Sequence, residues 1–390
     1  MFNVTRILCD LEQPMDGHRY GRGHDAEKSA RGRRPVVVWN VTRTCNLRCV
    51  HCYSDSEAKH YDGELNHEEA LKLVDDLADY GVPALLLSGG EPLARPDLFE
   101  IARHARSKGL KLTLSTNGTL IDRKRAEMIK ETGFTYVGIS FDGMGATNDL
   151  FRGRPGAFDR ARQAIRELRT VGQKVGLRLT LTPQTIADLD EIFDFIEREG
   201  IERACFYHLV PAGRGRAATT LDLDAARGAV SRIFERTLDL AQRGDPREIL
   251  TVDNHADAPF AYLTLAAASP ERAAKAREML LWNGGASHST GRGIGNIDFY
   301  GNVHPDQFMQ QITLGNVRDR KFSEIWEDES IETLAELRDR SKQIHGRCAS
   351  CNFFDLCGGG FRARSLGMTG DMWGSDPGCY LRDEEIAQIA

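Results

Sequence analysis

Seven of the nine cysteines stand in two tight groups: Cys45, Cys49 and Cys52, then Cys348, Cys351, Cys357 and Cys379. Grouped thiols in a chain of 390 residues argue for metal, because thiolates are ligands for both zinc and iron–sulfur clusters. Cys45-x-x-x-Cys49-x-x-Cys52 offers three thiolates from one loop. A cubane has four irons, so three protein ligands leave one iron free for a small chelating molecule. Zinc is the rival, but a structural zinc wants a fourth ligand; His60 is one choice, and His51 is squeezed between the cysteines. Tyr53, next to the third cysteine, is placed to shield a cluster or stack on its ligand, and equally to pack. The second group supplies four thiolates, a complete set for a second cluster in an electron relay. An all-thiolate zinc site is a stronger rival there. Cys9 and Cys205 stand alone and read as small buried hydrophobes.

The elements that must position these groups follow from hydrophobic periodicity. Strands are expected at Val36–Trp39, Ala84–Leu87, Lys111–Leu114, Tyr136–Ile139, Val175–Leu181 and Ala204–His208. Helices are expected near 66–80, 97–108, 122–131, 156–171 and 188–199, with Asp188 as an N-cap and Gly109, Gly133 and Gly200 as stops. Repeated strand–helix units with continuous apolar strands imply an α/β fold, a parallel sheet covered by helices. Six units make a partial (β/α)6 TIM-like barrel. Ligands bind beyond the carboxyl ends of such strands. The first cysteine group, Ser88-Gly-Gly-Glu-Pro92, Ser115-Thr-Asn117 and Ser140-Phe-Asp142 all fall there. Further helices are expected at 222–242, 270–282 and 322–339, a glycine- and serine-rich loop at 284–295, and a hairpin over Asn296–His304. The division expected is an extension over 1–34, the barrel over 35–240, a helical connection over 241–290 and a small metal-stabilised auxiliary domain over 291–390.

Composition narrows the classes. The chain is 41% hydrophobic and 28% charged, as globular proteins are. Its net charge of −6 and the shortness of basic runs such as Arg31-Gly-Arg-Arg34 speak against a nucleic-acid partner. No apolar run approaches the roughly 20 residues that span a bilayer. The N-terminal Met1–Cys9 stretch does not resemble a secretory signal, so a cytoplasmic protein without a membrane partner is expected.

The spacing CxxxCxxC, followed by Gly89-Gly-Glu-Pro92 at the next strand end, resembles the radical S-adenosylmethionine (SAM) superfamily. The resemblance implies that Cys45, Cys49 and Cys52 hold a [4Fe–4S] cluster whose open iron takes the amino and carboxylate groups of SAM. Gly89, Gly90, Glu91 and Pro92 would receive the amino group, the bare glycines allowing close approach. Ser115, Asn117, Ser140 and Asp142 match polar positions that touch the ribose or carboxylate, and Arg178 suits a carboxylate. For Asn117-Gly118 a plain turn is the equal alternative. Reduction of the sulfonium would release a 5′-deoxyadenosyl radical that takes a hydrogen atom from substrate. The second cysteine group resembles the shortened auxiliary-cluster (twitch, SPASM-like) domain of the same superfamily, which implies one further [4Fe–4S] cluster. An external flavodoxin- or ferredoxin-like donor would supply the electron.

Pro35–Asn40, Cys205–Gly215, Thr251–Asp257, Gly301–Phe308, Gly315–Arg318, Asp376–Leu381 and Arg19–Arg22 resemble the radical SAM enzymes of alternative heme and heme d1 biosynthesis. The forms of 208–215 and 252–257 favour the branch that removes the two acetate side chains of 12,18-didecarboxysiroheme to give Fe-coproporphyrin III; the heme d1 branch is the runner-up. An iron tetrapyrrole carries carboxylates that want Arg partners and an iron that takes an axial His. Arg214 and Arg216 are candidates for the first role, and His208, His255 and His304 for the second or for proton transfer, against solvated arginines and core histidines. Asp253-x-His255-x-Asp257 could mimic a metal site, though a turn network suits it better. A peptide-modifying maturase is the rival enzyme class, expected to need a leader-binding domain larger than the 34 residues before the first strand.

Overall fold

The computed structural model describes residues 1–12, 34–282, 285 and 289–387. Arg19–Arg22, and Arg31–Arg33 of the basic run, lie outside the described residues. The strands are β1 (Phe2–Asn3), β2 (Val36–Asn40), β3 (Leu85–Ser88), β4 (Leu112–Thr116), β5 (Tyr136–Ser140), β6 (Val175–Leu181), β7 (Arg203–His208), β8 (Glu248–Val252), β9 (Ile294–Ile297), β10 (Asn302–His304) and β11 (Gly315–Asn316). They form one sheet in the order β1-β8-β7-β6-β5-β4-β3-β2-β9-β10-β11. From β9 through β2 to β8 every pairing is parallel, with β1 at one end and β10 and β11 at the other running antiparallel.

The six expected strands are all present, and β8 and β9 continue the parallel run on either side of them. The segment 241–290, expected to be helical, therefore also carries a strand. Its Glu248-Ile-Leu-Thr-Val252 is buried throughout and pairs with β7, and five residues are too few to separate by periodicity from a buried helix turn. Ile294 and Gly295, expected within a loop, begin β9 in register with Val36 and Val37.

Local signals account for the helix ends. Helix His67–Tyr80 opens on a capping box, Asn66 accepting from Glu69 N at 3.0 Å while Asn66 N donates to Glu69 at 2.9 Å, and stops at left-handed Gly81. Helices Leu98–Ser107, Arg123–Thr132, Ala157–Thr170, Leu189–Arg198, Leu223–Gln242 and Pro270–Trp282 fall where expected. Asp188 does not cap the helix it precedes; its carboxylate accepts from Met144 N at 2.7 Å, across from the β5 loop. The helix expected over 322–339 is two, Phe322–Glu327 and Glu332–Arg338. Asp328 accepts from Ser330 N at 3.0 Å, a local bond that competes with the helical ladder. In β3 to β6, Leu85, Leu87, Leu112, Leu114, Val137, Ile139 and Leu177 are buried in the main core. The alternate side chains, Leu86, Ser88, Ser115, Arg178 and Thr180, line the opposite side, where a wide cleft lies.

Candidate functional site

That cleft encloses about 1090 Å³ and is open to solvent. The three thiols of Cys45, Cys49 and Cys52 face it from the loop after β2, together with Tyr53, Gly89, Gly90, Ser115, Asn117, Ser140, Arg178, His208 and Arg214. The parallel sheet thus delivers all four strand-end motifs to one rim.

The cysteine loop is held by backbone, which leaves its front free. Gly90 N donates to Thr42 O at 2.7 Å and Glu91 N to Thr44 O at 2.9 Å. A Cβ on Gly89 would stand 2.4 Å from Thr42 O, and one on Gly90 2.4 Å from Thr44 O, so both glycines are demanded by this crossing itself. On the other side Gly213, in the left-handed region at φ +51°, lies so close that a Cβ would meet Cys52 O at 2.5 Å. Arg214 N donates to Cys52 O at 3.0 Å, and its guanidinium to Cys49 O at 3.0 Å and Ser56 O at 2.9 Å. Arg214 is therefore a brace of the loop, its guanidinium shared between those carbonyls and Asp55 at 3.8 Å, and Arg216 is exposed outside the cleft.

Two other expected contacts turn inward. Glu91 is fully buried and accepts from Leu93 N at 3.1 Å, Thr116 Oγ1 at 2.6 Å and Asn117 N at 2.8 Å, tying β3 to β4. Burial pushes its carboxyl above the usual range, and neither it nor Pro92 lines the cleft. Asp142 is likewise buried, accepting from Thr180 N at 2.5 Å and pairing with Arg152, which donates to Cys49 Sγ at 3.6 Å. Asn117 both lines the cleft and makes a turn: its Oδ1 accepts from Thr119 N at 2.9 Å and its Nδ2 donates to Asn46 at 2.9 Å. Tyr53 OH donates to Asn40 Oδ1 at 3.3 Å, and its ring meets Phe308 edge-on at 5.5 Å. The Arg178 guanidinium sits 4.7 Å over the Tyr207 ring and, among the described residues, makes no ion pair.

The histidines separate. His208, at the end of β7, is on the cleft wall, with Nε2 3.2 Å from Asp257, whose other oxygen accepts from Tyr380 OH at 2.5 Å. Burial opposes charge on Asp257, yet His208 holds its carboxyl below the usual range. His255 donates Nδ1–H to Cys357 O at 3.2 Å and His304 Nδ1–H to Ile312 O at 2.7 Å; neither reaches the cleft. Asp253, His255 and Asp257 diverge in three directions and form no metal site. Arg152, His51, Thr180, Tyr207, Asp253, Gln307 and Phe308 also line the cleft; none is expected from the sequence as a cofactor or substrate contact, where His51 reads only as a zinc ligand and Asp253 only as part of a metal mimic or turn. Thr180 follows from Arg178 by the strand period of two, a signal the sequence carried; Arg152, at the end of helix Ala146–Arg152, and Gln307, from the loop after β10, are remote in sequence and left none.

A smaller cavity of about 390 Å³ is lined by Cys348, Cys351, Cys357 and Cys379 together. Arg347 donates to Cys379 Sγ at 3.3 Å and Phe353 N to Cys351 Sγ at 3.4 Å. Burial pushes the Cys45 thiol up to about 12 and Cys357 well above the thiol range, so bound cations are what would make these sulfurs ligands. Among the described residues no three His, Cys, Asp or Glu side chains close on one point, as a single zinc ion requires. Cubane ligands stand on separate irons, and both donor sets, three thiols beside open space and four around a closed one, fit that geometry.

Comparison with known proteins agrees with this layout. The profile of the Radical SAM superfamily matches residues 39–196, and that of the SPASM iron–sulfur cluster-binding domain residues 290–352. The chain is 47% identical to the Fe-coproporphyrin III synthase of Methanosarcina barkeri, covering 99% of each. It is 44% identical to the pre-heme d1 synthase of Dinoroseobacter shibae, over 99% of this chain and 93% of that one. The crystal structure of Streptococcus suis SuiB bound to S-adenosylmethionine superposes with a TM-score of 0.69 at 19% identity, over 89% of this chain and 77% of that one, a likeness of fold. Among the described residues no helix is long and apolar enough to cross a membrane.

Proposed function

The chain belongs to the radical SAM superfamily, in the branch that carries a SPASM domain, and from that premise we propose that it removes the two acetate side chains of 12,18-didecarboxysiroheme, leaving methyl groups and giving Fe-coproporphyrin III. Its cofactors are S-adenosylmethionine and two [4Fe–4S] clusters. The observation that carries the proposal is a full-length identity of 47% to an Fe-coproporphyrin III synthase, met by three thiols facing an open cleft.

In this reading Cys45, Cys49 and Cys52 hold the first cluster and Cys348, Cys351, Cys357 and Cys379 the second. When bound, the first cluster supplies one electron to the SAM sulfonium, releasing a 5′-deoxyadenosyl radical. The residues of the chain bind and orient. Gly89, Gly90, Ser115, Asn117 and Ser140 form the rim against which SAM lies. Arg178 offers an unpaired guanidinium to its carboxylate. Tyr53 and Phe308, packed edge-on on the cleft wall beside Cys52, would help exclude water from the space in front of the cysteines. His208 stands on the wall that faces the tetrapyrrole, its ring held by Asp257. A flavodoxin- or ferredoxin-like donor in the cytoplasm supplies the electron.

The test is anaerobic reconstitution, an iron count, then addition of reductant, SAM and didecarboxysiroheme. About eight irons per chain, 5′-deoxyadenosine and a changed tetrapyrrole spectrum are expected. An unchanged tetrapyrrole, with turnover of a peptide, would replace the substrate assignment.

A further inference from the structure

At the carboxyl end of β8 the chain makes a turn that places three successive residues in three environments. Asp253 lines the large cleft, Asn254 lines the cavity of the second cysteine group, and His255 bonds to Cys357 O. Asp253 holds a left-handed backbone, φ +66°, one of three non-glycine residues to do so among those described. All three are aspartates, a residue that accepts that conformation more readily than most, and here it turns the side chain toward the cleft. Its Oδ2 is buried and, among the described residues, has no hydrogen-bond donor. The residue as a whole is half-buried on the cleft wall, and Oδ2 is the oxygen shut off from solvent without a donor. The loops behind it are well satisfied by contrast: Asp257 and Asp376 each have several donors. An acid whose buried oxygen has no donor among the described residues, on the wall of a substrate cleft, is shaped for a group that arrives with the ligand.

We infer that Asp253 is a substrate-binding residue that takes up a proton when the tetrapyrrole binds and, as the neutral acid, donates a hydrogen bond to one of its side-chain carboxylates. The inference rests on the tetrapyrrole reading above. A neutral acid answers the missing donors: protonated, the group no longer carries a buried charge, and it gains a proton to give. The charges that face it are mixed. Asp306 approaches from the loop after β10, Arg364 from helix Arg362–Thr369, Arg178 from β6, Tyr207 from β7 and the amino terminus from the strand beside β8. Arg364 is already paired with Asp376 at 2.8 Å and Arg178 lies on the Tyr207 ring, so neither guanidinium pairs with Asp253, and the amino terminus is the cation that opposes the rise most. Burial pushes its carboxyl up to about 6, with Asp306 adding to the rise and the amino terminus, Arg364 and Arg178 opposing it. An incoming carboxylate raises it further, and the complex then holds one proton that the free protein lacks above that pH.

The consequence is a linkage that reads out without catalysis. The reconstituted holoenzyme, kept without reductant, is titrated with didecarboxysiroheme by absorbance at pH 6.5–8.5, a range of about two units. For the wild type, Kd should rise about tenfold per pH unit, one proton per complex. Asp253→Asn tolerates a left-handed backbone and keeps a donor that needs no proton, so its Kd should be flat and tighter than wild type at the alkaline end. Asp253→Ala should bind weakly at every pH. Equal pH slopes in wild type and Asp253→Asn, or wild-type affinity in Asp253→Ala, would overturn the role of Asp253 while leaving the tetrapyrrole reading intact. No binding of the tetrapyrrole by the wild type would remove both.

Discussion

The loop of Cys45, Cys49 and Cys52 and the loops of Cys348 to Cys379 hold sulfur by opposite means. The first draws three ligands from one short stretch and takes its rigidity from distant chain, Gly90 and Glu91 on one side and Gly213 and Arg214 on the other, mainly through its carbonyls, while Arg152 reaches Cys49 Sγ. The space in front of it, about 1090 Å³, stays open. The second gathers four ligands from short helices and turns around about 390 Å³, with Arg347 and backbone amides aimed at the sulfurs themselves. Its frame is a buried ion pair, Arg364 with Asp376, and Asp376 also accepts from Phe361 N at 2.7 Å and Gly378 N at 2.9 Å. A centre that must admit cofactor and substrate needs stiffness behind it and nothing ahead. A centre that only stores or passes an electron can be wrapped on all sides.

The largest effect expected from breaking this contrast is in Cys49→Ala. With one of three thiols gone, 5′-deoxyadenosine formation should fall to background, while about four irons per chain stay in the second group. Retained cofactor cleavage in that variant would contradict the ligand assignment. Next comes Arg364→Leu, which strands the buried Asp376 carboxylate beside the second group. Chemical denaturation should register a loss of about 3–5 kcal/mol, concentrated in the C-terminal region by hydrogen exchange. The smallest is Gly213→Ala, which presses a methyl on the carbonyls of Cys52 and Tyr53. It should cost about 1–3 kcal/mol and lower iron in the first group while sparing the second. An equal loss from both groups would mean that the two are held as one unit.

Much of this was readable from residues alone. The six central strands, the helices between them and the cysteine grouping follow from periods and spacings that a few neighbouring residues set. The misplaced elements were those with short or mixed signals. Glu248–Val252 is too brief to betray its strand, and Asp328 breaks a helix through a side-chain bond that periodicity does not register.

Site residues divided along another line. Ser115, Asn117 and Ser140 are expected at the strand ends and Arg178 from the family resemblance, and all four line the cleft. Glu91 and Asp142 have the same polar character and stand in neighbouring strand-end motifs, yet they bond inward to amides and a guanidinium, and Arg214, though on the cleft wall, bonds to the carbonyls of the cysteine loop. Sequence by itself determined which atoms can bind metal and which strands run side by side, because both are set over short stretches of chain. Tertiary structure decided whether a given polar group faces the ligand or the protein. That choice depends on which remote backbone crosses within hydrogen-bond reach, as Thr44 does at Gly90 and Cys52 at Gly213.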